Sequence, residues 1–257
     1  MEIYQKHLSK ISNYIESKKN FTLNDYEPIF KNIFKDIKKF KDINANIKIL
    51  EIGSGTGWFQ ILCKKNRISC KGIEISPQLV EYSHAFARKY NIEPDIEMGN
   101  IEEIEIGDNK YDIIIACSVF EHIEDWQNSI KKVYKALKEG GLLYFVSTNK
   151  FSFKSGEYSF PLYGWLPNFL RYNLRIFTQG EDIMKLGIDF NQFNYFQLRY
   201  FFNRVGFSAV YDFFEFVDPK DIDKSLKRNI SKIIKRFKIL KPIALLFWHT
   251  TFFICIK

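Results

Sequence analysis

From Ile47 to Ser147 the chain alternates short apolar runs with helix-length amphipathic segments, and this rhythm constrains the fold more than any other feature of its 257 residues. Strands buried on both faces read as near-continuous apolar runs, and the helices between them carry the chain back to the next parallel strand. The runs predict strands at Ile47–Ile52, Cys70–Ile75, Asp95–Met98, Tyr111–Cys117 and Leu142–Ser147. Helices are expected between them at Trp58–Asn66, Pro77–Tyr90 and Asp125–Lys138, with Gly140-Gly141 ending the last as a left-handed cap. The fold class expected is therefore α/β, a mostly parallel sheet flanked by helices.

The flanks read differently. Two helices, Ile3–Ser17 and Tyr26–Phe40, are expected to pack outside the sheet. Residues 150–193 hold eleven aromatics with scattered Gly and Pro and no clean period, the mark of an insertion. A helix resumes at Tyr195–Val205 and stops at Gly206, Ala209–Phe216 alternates like a strand, and a basic helix is expected over 220–238. The closing run from Ile243 to Ile256 is 14 residues long and interrupted by His249 and two threonines. A membrane-spanning helix needs roughly 20 residues, so a buried strand antiparallel to 209–216 suits the run better. These breaks divide the chain into a helical extension (1–46), a core (47–149), an aromatic insertion (150–193) and a C-terminal part of the same domain (194–257).

Hydrophobic residues at 46% and charged residues at 26% fit a globular protein. The N-terminal residues mix charge with apolar side chains and lack the uninterrupted apolar core of a signal peptide, so a cytoplasmic protein is expected. Cys63, Cys70, Cys117 and Cys255 include no CxxC pair and are read as free thiols. The formal charge of +8 is concentrated: Lys220 to Lys241 carries nine Lys and Arg against Asp221 and Asp223, a net of +7. Ile222, Leu226, Ile230, Ile233, Ile234 and Phe237 fall on one helical face there. This is either a packed helix with a solvated basic face or a peripheral contact with an anionic membrane; nucleic acid is not expected.

The stretch ILEIGSGTG, Ile49–Gly57, places three glycines directly after the first strand and before a helix. Such a turn brings bare backbone N–H groups against a ligand at the carboxyl end of the sheet. Its spacing is G-x-G-x-G, whereas a dinucleotide site wants G-x-G-x-x-G. Glu51 would repel a pyrophosphate and attract an ammonium group such as that of S-adenosylmethionine. Glu74, ending the second strand, can accept both hydroxyls of a ribose, which suits either cofactor.

At this point the chain resembles the class I S-adenosylmethionine-dependent methyltransferases from about Ile47 to Asn149. ILEIGSGTG is similar to their first motif, GIEIS to their second, and GNIEEI at 99–104 to their adenine-contacting turn. YDIIIACSVFEHIED at 111–125 resembles the fourth strand and loop of ubiquinone-type O-methyltransferases, and LKEGGLLYFVSTN at 137–149 their last helix turn and fifth strand. The resemblance implies a Rossmann-like, mostly parallel seven-stranded sheet with an antiparallel C-terminal strand and an aromatic lid. It implies S-adenosylmethionine as cofactor, held by Glu51, Gly53, Ser54, Gly55, Gly57, Glu74, Ile75, Asn100, Ile101, Cys117 and Ser118. Asn100 stands where the family often has an acid, and its amide can still hydrogen-bond. Ser118 stands where some quinone-type relatives carry an acid, so no metal is expected.

His122 is the one histidine expected near the methyl-transfer pocket, a candidate base with Glu121 beside it; a structural hydrogen-bonding role is the alternative. Tyr158, Tyr163, Trp165 and Arg171 are candidate lid contacts. The expected reaction is methyl transfer to oxygen of a small molecule, saccharide or lipid-linked acceptor. Two other classes stay open on sequence alone, an NAD-dependent oxidoreductase and a non-catalytic S-adenosylmethionine-binding protein.

Overall fold

The computed structural model describes residues 12–153, 161–179, 189–222 and 224–257. Helices α1 (Ser12–Lys18) and α2 (Leu23–Ile37) precede the alternating core. There β1 (Lys48–Ile52), α3 (Trp58–Lys65), β2 (Ser69–Glu74), α4 (Pro77–Arg88), β3 (Asp95–Met98), β4 (Tyr111–Cys117), α5 (Trp126–Ala136) and β5 (Leu137–Thr148) follow in turn. After them come α6 (Asn168–Gln179), α7 (Tyr195–Val205), β6 (Ala209–Asp212), α8 (Phe213–Phe216), α9 (Ser225–Arg236), α10 (Lys241–Phe247) and β7 (Thr250–Ile256). The seven strands form one sheet in the order β3-β2-β1-β4-β5-β7-β6. All neighbouring pairs are parallel except those made by β7, which runs antiparallel to both β5 and β6.

The period-two geometry of strands splits the apolar runs into two cores. Ile114 and Ala116 of β4 join Leu50, Phe145 and the α5 and α7 residues Ile130, Val133, Leu198 and Phe202 on one face. Ile113 and Ile115 join Ile49, Phe59 and the α2 residues Phe30, Ile33, Phe34 and Ile37 on the other. Phe34 stacks on Phe59 at 5.8 Å between centroids, so α2 forms part of the helical layer over the sheet. The helix expected at Ile3–Ser17 begins outside the described residues; its described part is α1.

Four expectations are corrected. Gly140-Gly141 does not cap α5, which ends at Ala136; Leu137 is already extended and paired with Tyr111. Gly140, with φ +66°, instead lies in a bulge where the register jumps from Tyr111↔Leu137 to Ile113↔Leu142. The strand expected at 209–216 stops at Asp212, because Asp212 and Glu215 form a capping box that starts the single-turn α8. The closing strand is shorter than expected: Pro242 sits in the first turn of α10, and extended structure begins only at Thr250.

The fourth correction concerns the extent of the basic helix: expected over 220–238, it spans Ser225–Arg236, and the apolar residues assigned to its face divide between core and solvent. Ile222 and Ile234 are buried, but Leu226, Ile230, Ile233 and Phe237 are exposed. Among the described residues no helix is long and apolar enough to cross a membrane.

Candidate active site

A cavity of about 300 Å³ opens at the carboxyl ends of β1, β2 and β4, the edge at which ligands sit in open α/β sheets. Its floor is the turn after β1. The amides of Gly53 and Ser54 both donate to the Ile73 carbonyl, at 2.8 and 3.0 Å, which pins the turn to β2. Gly53, Gly55 and Gly57 all have φ between +54° and +75°, in the left-handed region that favours glycine.

The three glycines nevertheless do different things. A Cβ on Gly57 would lie 2.6 Å from Cβ of Ser83 and 3.0 Å from Cδ1 of Ile96, so its bareness serves the packing of α4 and β3. A Cβ on Gly53 would strike Val119 at 2.8 Å. A Cβ on Gly55 would meet no atom within 4 Å, and Gly55 lines the cavity. Only there does the missing side chain keep ligand space open.

Glu74 lines the cavity at the end of β2 and accepts from the Gly55 amide at 2.7 Å and the Ser76 amide at 3.0 Å. Burial raises its pKa, opposed by those backbone hydrogen bonds. Glu51, Ser54 and Gly57 are not among the cavity-lining residues. Ser54 is buried under the turn and donates to the Ile73 carbonyl at 3.2 Å. Glu51 is buried behind it and accepts from Nε2 of Gln60. Burial pushes its pKa up to about 8, with the Gln60 hydrogen bond opposing and the Glu74 carboxylate adding. The attraction to an ammonium group expected of Glu51 thus needs a charge form that is the minor one at pH 7 in the ligand-free protein.

The next wall is the turn after β3. The Gly99 amide donates to the Glu74 carbonyl at 2.9 Å, and Asn100 Oδ1 accepts from the Glu102 amide at 3.0 Å. The Asn100 side chain therefore shapes its own turn. Lys132 of α5 reaches this turn from outside, its Nζ donating to the carbonyls of Ile101, Glu102 and Ile104 at 3.0 to 3.1 Å. The sequence reading missed Lys132, whose only trace is its position on the inward side of a helix.

The third wall follows β4. Cys117 and Ser118 both line the cavity, with Ser118 at φ +53° and its amide donating to the Val146 carbonyl at 2.8 Å. Burial raises the Cys117 thiol far above its ordinary pKa, with the Glu51 and Glu121 carboxylates adding, so it stays protonated. The turn Phe120–His122 then separates the two candidate catalytic residues. His122 lines the cavity. Glu121 points into the sheet, where its Oε2 accepts from the Ser147 hydroxyl at 2.7 Å. Asn191 staples the turn: its Nδ2 donates to the carbonyls of Phe120 and Ile123 at 3.2 and 2.6 Å, and its amide donates to that of Glu121 at 3.0 Å. Ile75 lines the cavity as expected, and Tyr14, Leu79 and Glu102 are among further lining residues that were not foreseen.

The candidate lid residues separate as well. Tyr158 lies outside the described residues. Tyr163 and Arg171 meet in a buried hub around Asp189, with the Tyr163 hydroxyl 3.3 Å from Oδ1 and Arg171 Nη2 2.7 Å from the Asp189 carbonyl. Trp165 is exposed and stacks against Phe247. None of these three lines the cavity. Among the described residues no three His, Cys, Asp or Glu side chains group as a metal site would require.

Residues 27–211 match the model of a methyltransferase-domain family. The chain belongs to that family and is a class I S-adenosylmethionine-dependent methyltransferase. The match resolves the choice left open by the glycine turn in favour of S-adenosylmethionine as the cofactor. A malonyl-[acyl-carrier protein] O-methyltransferase of Priestia megaterium is 38% identical to this methyltransferase over 106 residues, covering 40% of this chain and 37% of that protein. A ubiquinone biosynthesis O-methyltransferase of Pelagibacter ubique is 31% identical over 147 residues, covering 54% and 60%. The matched region thus spans about 37–60% of the length of these relatives. Among solved structures, a SAM-dependent methyltransferase from Archaeoglobus fulgidus shares the fold at a TM-score of 0.56 and 16% identity, covering 95% of this chain and 99% of that one. Phosphoethanolamine N-methyltransferase 2 of Haemonchus contortus, solved with S-adenosyl-L-methionine, has a TM-score of 0.55 and 15% identity, covering 88% and 52%.

The cavity of this methyltransferase fits its cofactor on grounds of its own. The space beside Gly55 is bare, a carboxyl group stands at the end of β2, and the volume lies within the range of small-molecule sites, roughly 300 to 1,000 Å³.

Proposed function

We propose that this methyltransferase methylates a hydroxyl oxygen of a small or lipid-linked acceptor, with His122 as the base. The observation that carries the reading is the division of the Glu121-His122 pair, which turns Glu121 into the sheet and leaves His122 on the cavity wall. An imidazole is the side chain best matched to removing a hydroxyl proton near neutral pH. The names of the curated relatives, both O-methyltransferases, point the same way.

In this reading Gly53 and Gly55 present backbone to the cofactor, Glu74 accepts from its ribose hydroxyls, and Asn100 and Ile101 flank its adenine. Cys117 and Ser118 contribute backbone position only. Glu51 acts from behind the turn. The cofactor when bound supplies an electrophilic methyl group on a sulfonium cation. The chain aligns the acceptor oxygen with that methyl group, excludes water, and takes up at His122 the proton the oxygen loses as it gains the methyl. The protein contributes alignment and one proton transfer.

The test is a radiolabelled-methyl assay over phenols, saccharides, carboxylic acids and lipid-linked acceptors, followed by mass identification of the product. Formation of a methyl ether or ester that collapses in His122→Ala supports the reading. Methylation confined to nitrogen or carbon, or an unimpaired His122→Ala enzyme, refutes it.

A further inference from the structure

The surface built by α9, α10 and the turn between them carries a run of exposed aliphatic side chains among lysines and arginines. Leu226, Ile230, Ile233 and Phe237 recur at spacings of 4, 3 and 4, one stripe along α9, and are 71, 37, 51 and 52% exposed. The core takes only Ser231 and Ile234 from this helix. The stripe runs on into Ile239 and Ile243, which are 85 and 62% exposed. From Lys224 to Lys241 the sequence has eight Lys and Arg and no acid. Lys241 is neutralised by Asp212 and Glu215, and Lys235 donates to the Val217 carbonyl. Lys224, Lys232, Arg236 and Lys238 are exposed and make no ion pair among the described residues.

We infer that this face seats on an anionic phospholipid surface. Its aliphatic stripe would enter the headgroup boundary while the flanking cations meet lipid phosphates, the paired signals that reversible membrane binding requires. The charge excludes the simplest competing occupant. A two-fold contact with a second copy through the same stripe would bring together eight unpaired cations, four from each protomer. A nucleic acid is disfavoured because the centre of the face is aliphatic and offers bases neither stacking rings nor hydrogen bonds.

The position of the face gives it a use. Residues 213–249 leave from the end of β6 and return into β7 at Thr250, which pairs with Thr148 at the carboxyl end of β5. Both ends of the segment therefore join the sheet at the edge that carries the cavity. Asn149 ties α10 down there, its Nδ2 donating to the carbonyls of Leu245, Leu246 and Trp248 at 2.7 to 3.1 Å. Phe247 stacks against Phe153 and Trp165, which are 61 and 42% exposed, so the apolar surface continues into the segment that follows β5. A membrane-borne acceptor would meet the enzyme on its open side.

The purified 257-residue chain should co-sediment with vesicles of phosphatidylcholine containing about a third phosphatidylglycerol, and not with phosphatidylcholine alone. Raising salt from 0.1 M to 1 M shortens the Debye length from about 10 to about 3 Å and should release it. Lys224, Lys232, Arg236 and Lys238→Gln together should weaken binding several hundred-fold, about fivefold per cation. Ile233→Ser with Ile239→Ser should also weaken it, with the wild-type melting temperature and cofactor affinity retained because both positions are exposed. Equal binding to both vesicle types, binding to neither, or undiminished binding by the four-Gln variant overturns the inference. So does a concentration-dependent dimer that Ile233→Ser dissociates in protein that ignores vesicles. The wild-type lipid and salt arms decide the matter even where a variant folds poorly. No methyl acceptor is used, so the outcome is separate from that of the proposed reaction.

Discussion

Replacing Gly55 and Gly57 one at a time by alanine separates ligand space from packing space within a single turn. Both residues have left-handed φ, +54° and +72°, and an L residue there costs roughly 1–2 kcal/mol. Gly55→Ala adds little to that, because its Cβ would meet no atom within 4 Å. Gly57→Ala adds a methyl 2.6 Å from Ser83 Cβ and 3.0 Å from Ile96 Cδ1, overpacking that costs about 1–3 kcal/mol more. At about 2–4 °C per kcal/mol for a domain approaching this size, Gly55→Ala should melt a few degrees below wild type and Gly57→Ala by as much as roughly 20 °C. Affinity should rank the other way. The Gly55→Ala methyl protrudes into the cavity where backbone must meet the cofactor, so calorimetric titration should show S-adenosylmethionine binding weakened by about a hundredfold or more. Folded Gly57→Ala, measured well below its melting point, should keep affinity within about tenfold of wild type. Near-normal affinity in Gly55→Ala would refute the assignment of the bare space to the cofactor, and a Gly57→Ala protein as stable as Gly55→Ala would refute the packing argument.

Glu51→Gln should stabilise the ligand-free protein in a pH-dependent way. The folded carboxyl titrates near 8 against an ordinary value of 4.5, so between those values the unfolded chain ionises and the folded chain does not. Wild-type stability from this group is intact below pH 4.5 and lost as pH rises toward 8, where the variant should be ahead by up to about 4 kcal/mol; denaturant melts at pH 4.5 and 8 that show the same gap would refute this. Glu74→Ala should fold and bind S-adenosylmethionine at least tenfold more weakly in calorimetric titration, through loss of ribose acceptors and of the tie to Gly55. Lys132→Met, at a residue that does not line the cavity, should weaken cofactor binding severalfold by freeing the 101–104 turn, with Lys132→Arg recovering part of the loss. His122→Ala should lower single-turnover methyl transfer by about a hundredfold or more with cofactor affinity nearly unchanged.

Much of the fold could be read from period alone. β3 and β4 occupy the residues expected of them, and a run such as YDIIIAC is told from a buried helix by its shortness and its β-branched residues. The errors lie where local signals are degenerate. A glycine at positive φ serves a helix cap or a bulge equally well, and Gly140 became a bulge because the chain's far end pairs there, its amide donating to the Lys257 carbonyl and Lys257's to that of Gly141. FFEF at 213–216 alternates as a strand does, and the Asp212–Glu215 capping box overrides it. On α9 the spacing of apolar residues leaves core packing and surface contact equally open, and the structure exposes most of the stripe. Amphipathicity says that a stripe exists, and only tertiary contacts say whether the core takes it.

The candidate cavity was legible to the same depth, and its details were missed for a related reason. The turn after β1, the acid ending β2, the turn after β3 and the loop after β4 all converge on one cavity, because parallel strands place every such turn at the same edge. What the sequence does not carry is which group at each turn faces the ligand. Gly53, Gly55 and Gly57 look alike in sequence and in φ, and they differ only through Val119, Ser83 and Ile96, which other elements bring against two of them. Glu51 and Glu74 look like two equivalent carboxylates, yet one is closed in by Gln60 behind the turn and the other stands on the wall. Glu121 and His122 are chain neighbours, and the tight turn that holds them sends one to Ser147 and the other to the cavity. In each case the motif fixes the backbone and the surrounding packing chooses the side chain, so the shape of this cavity depends on residues such as Gln60, Lys132, Ser147 and Asn191 that no motif contains.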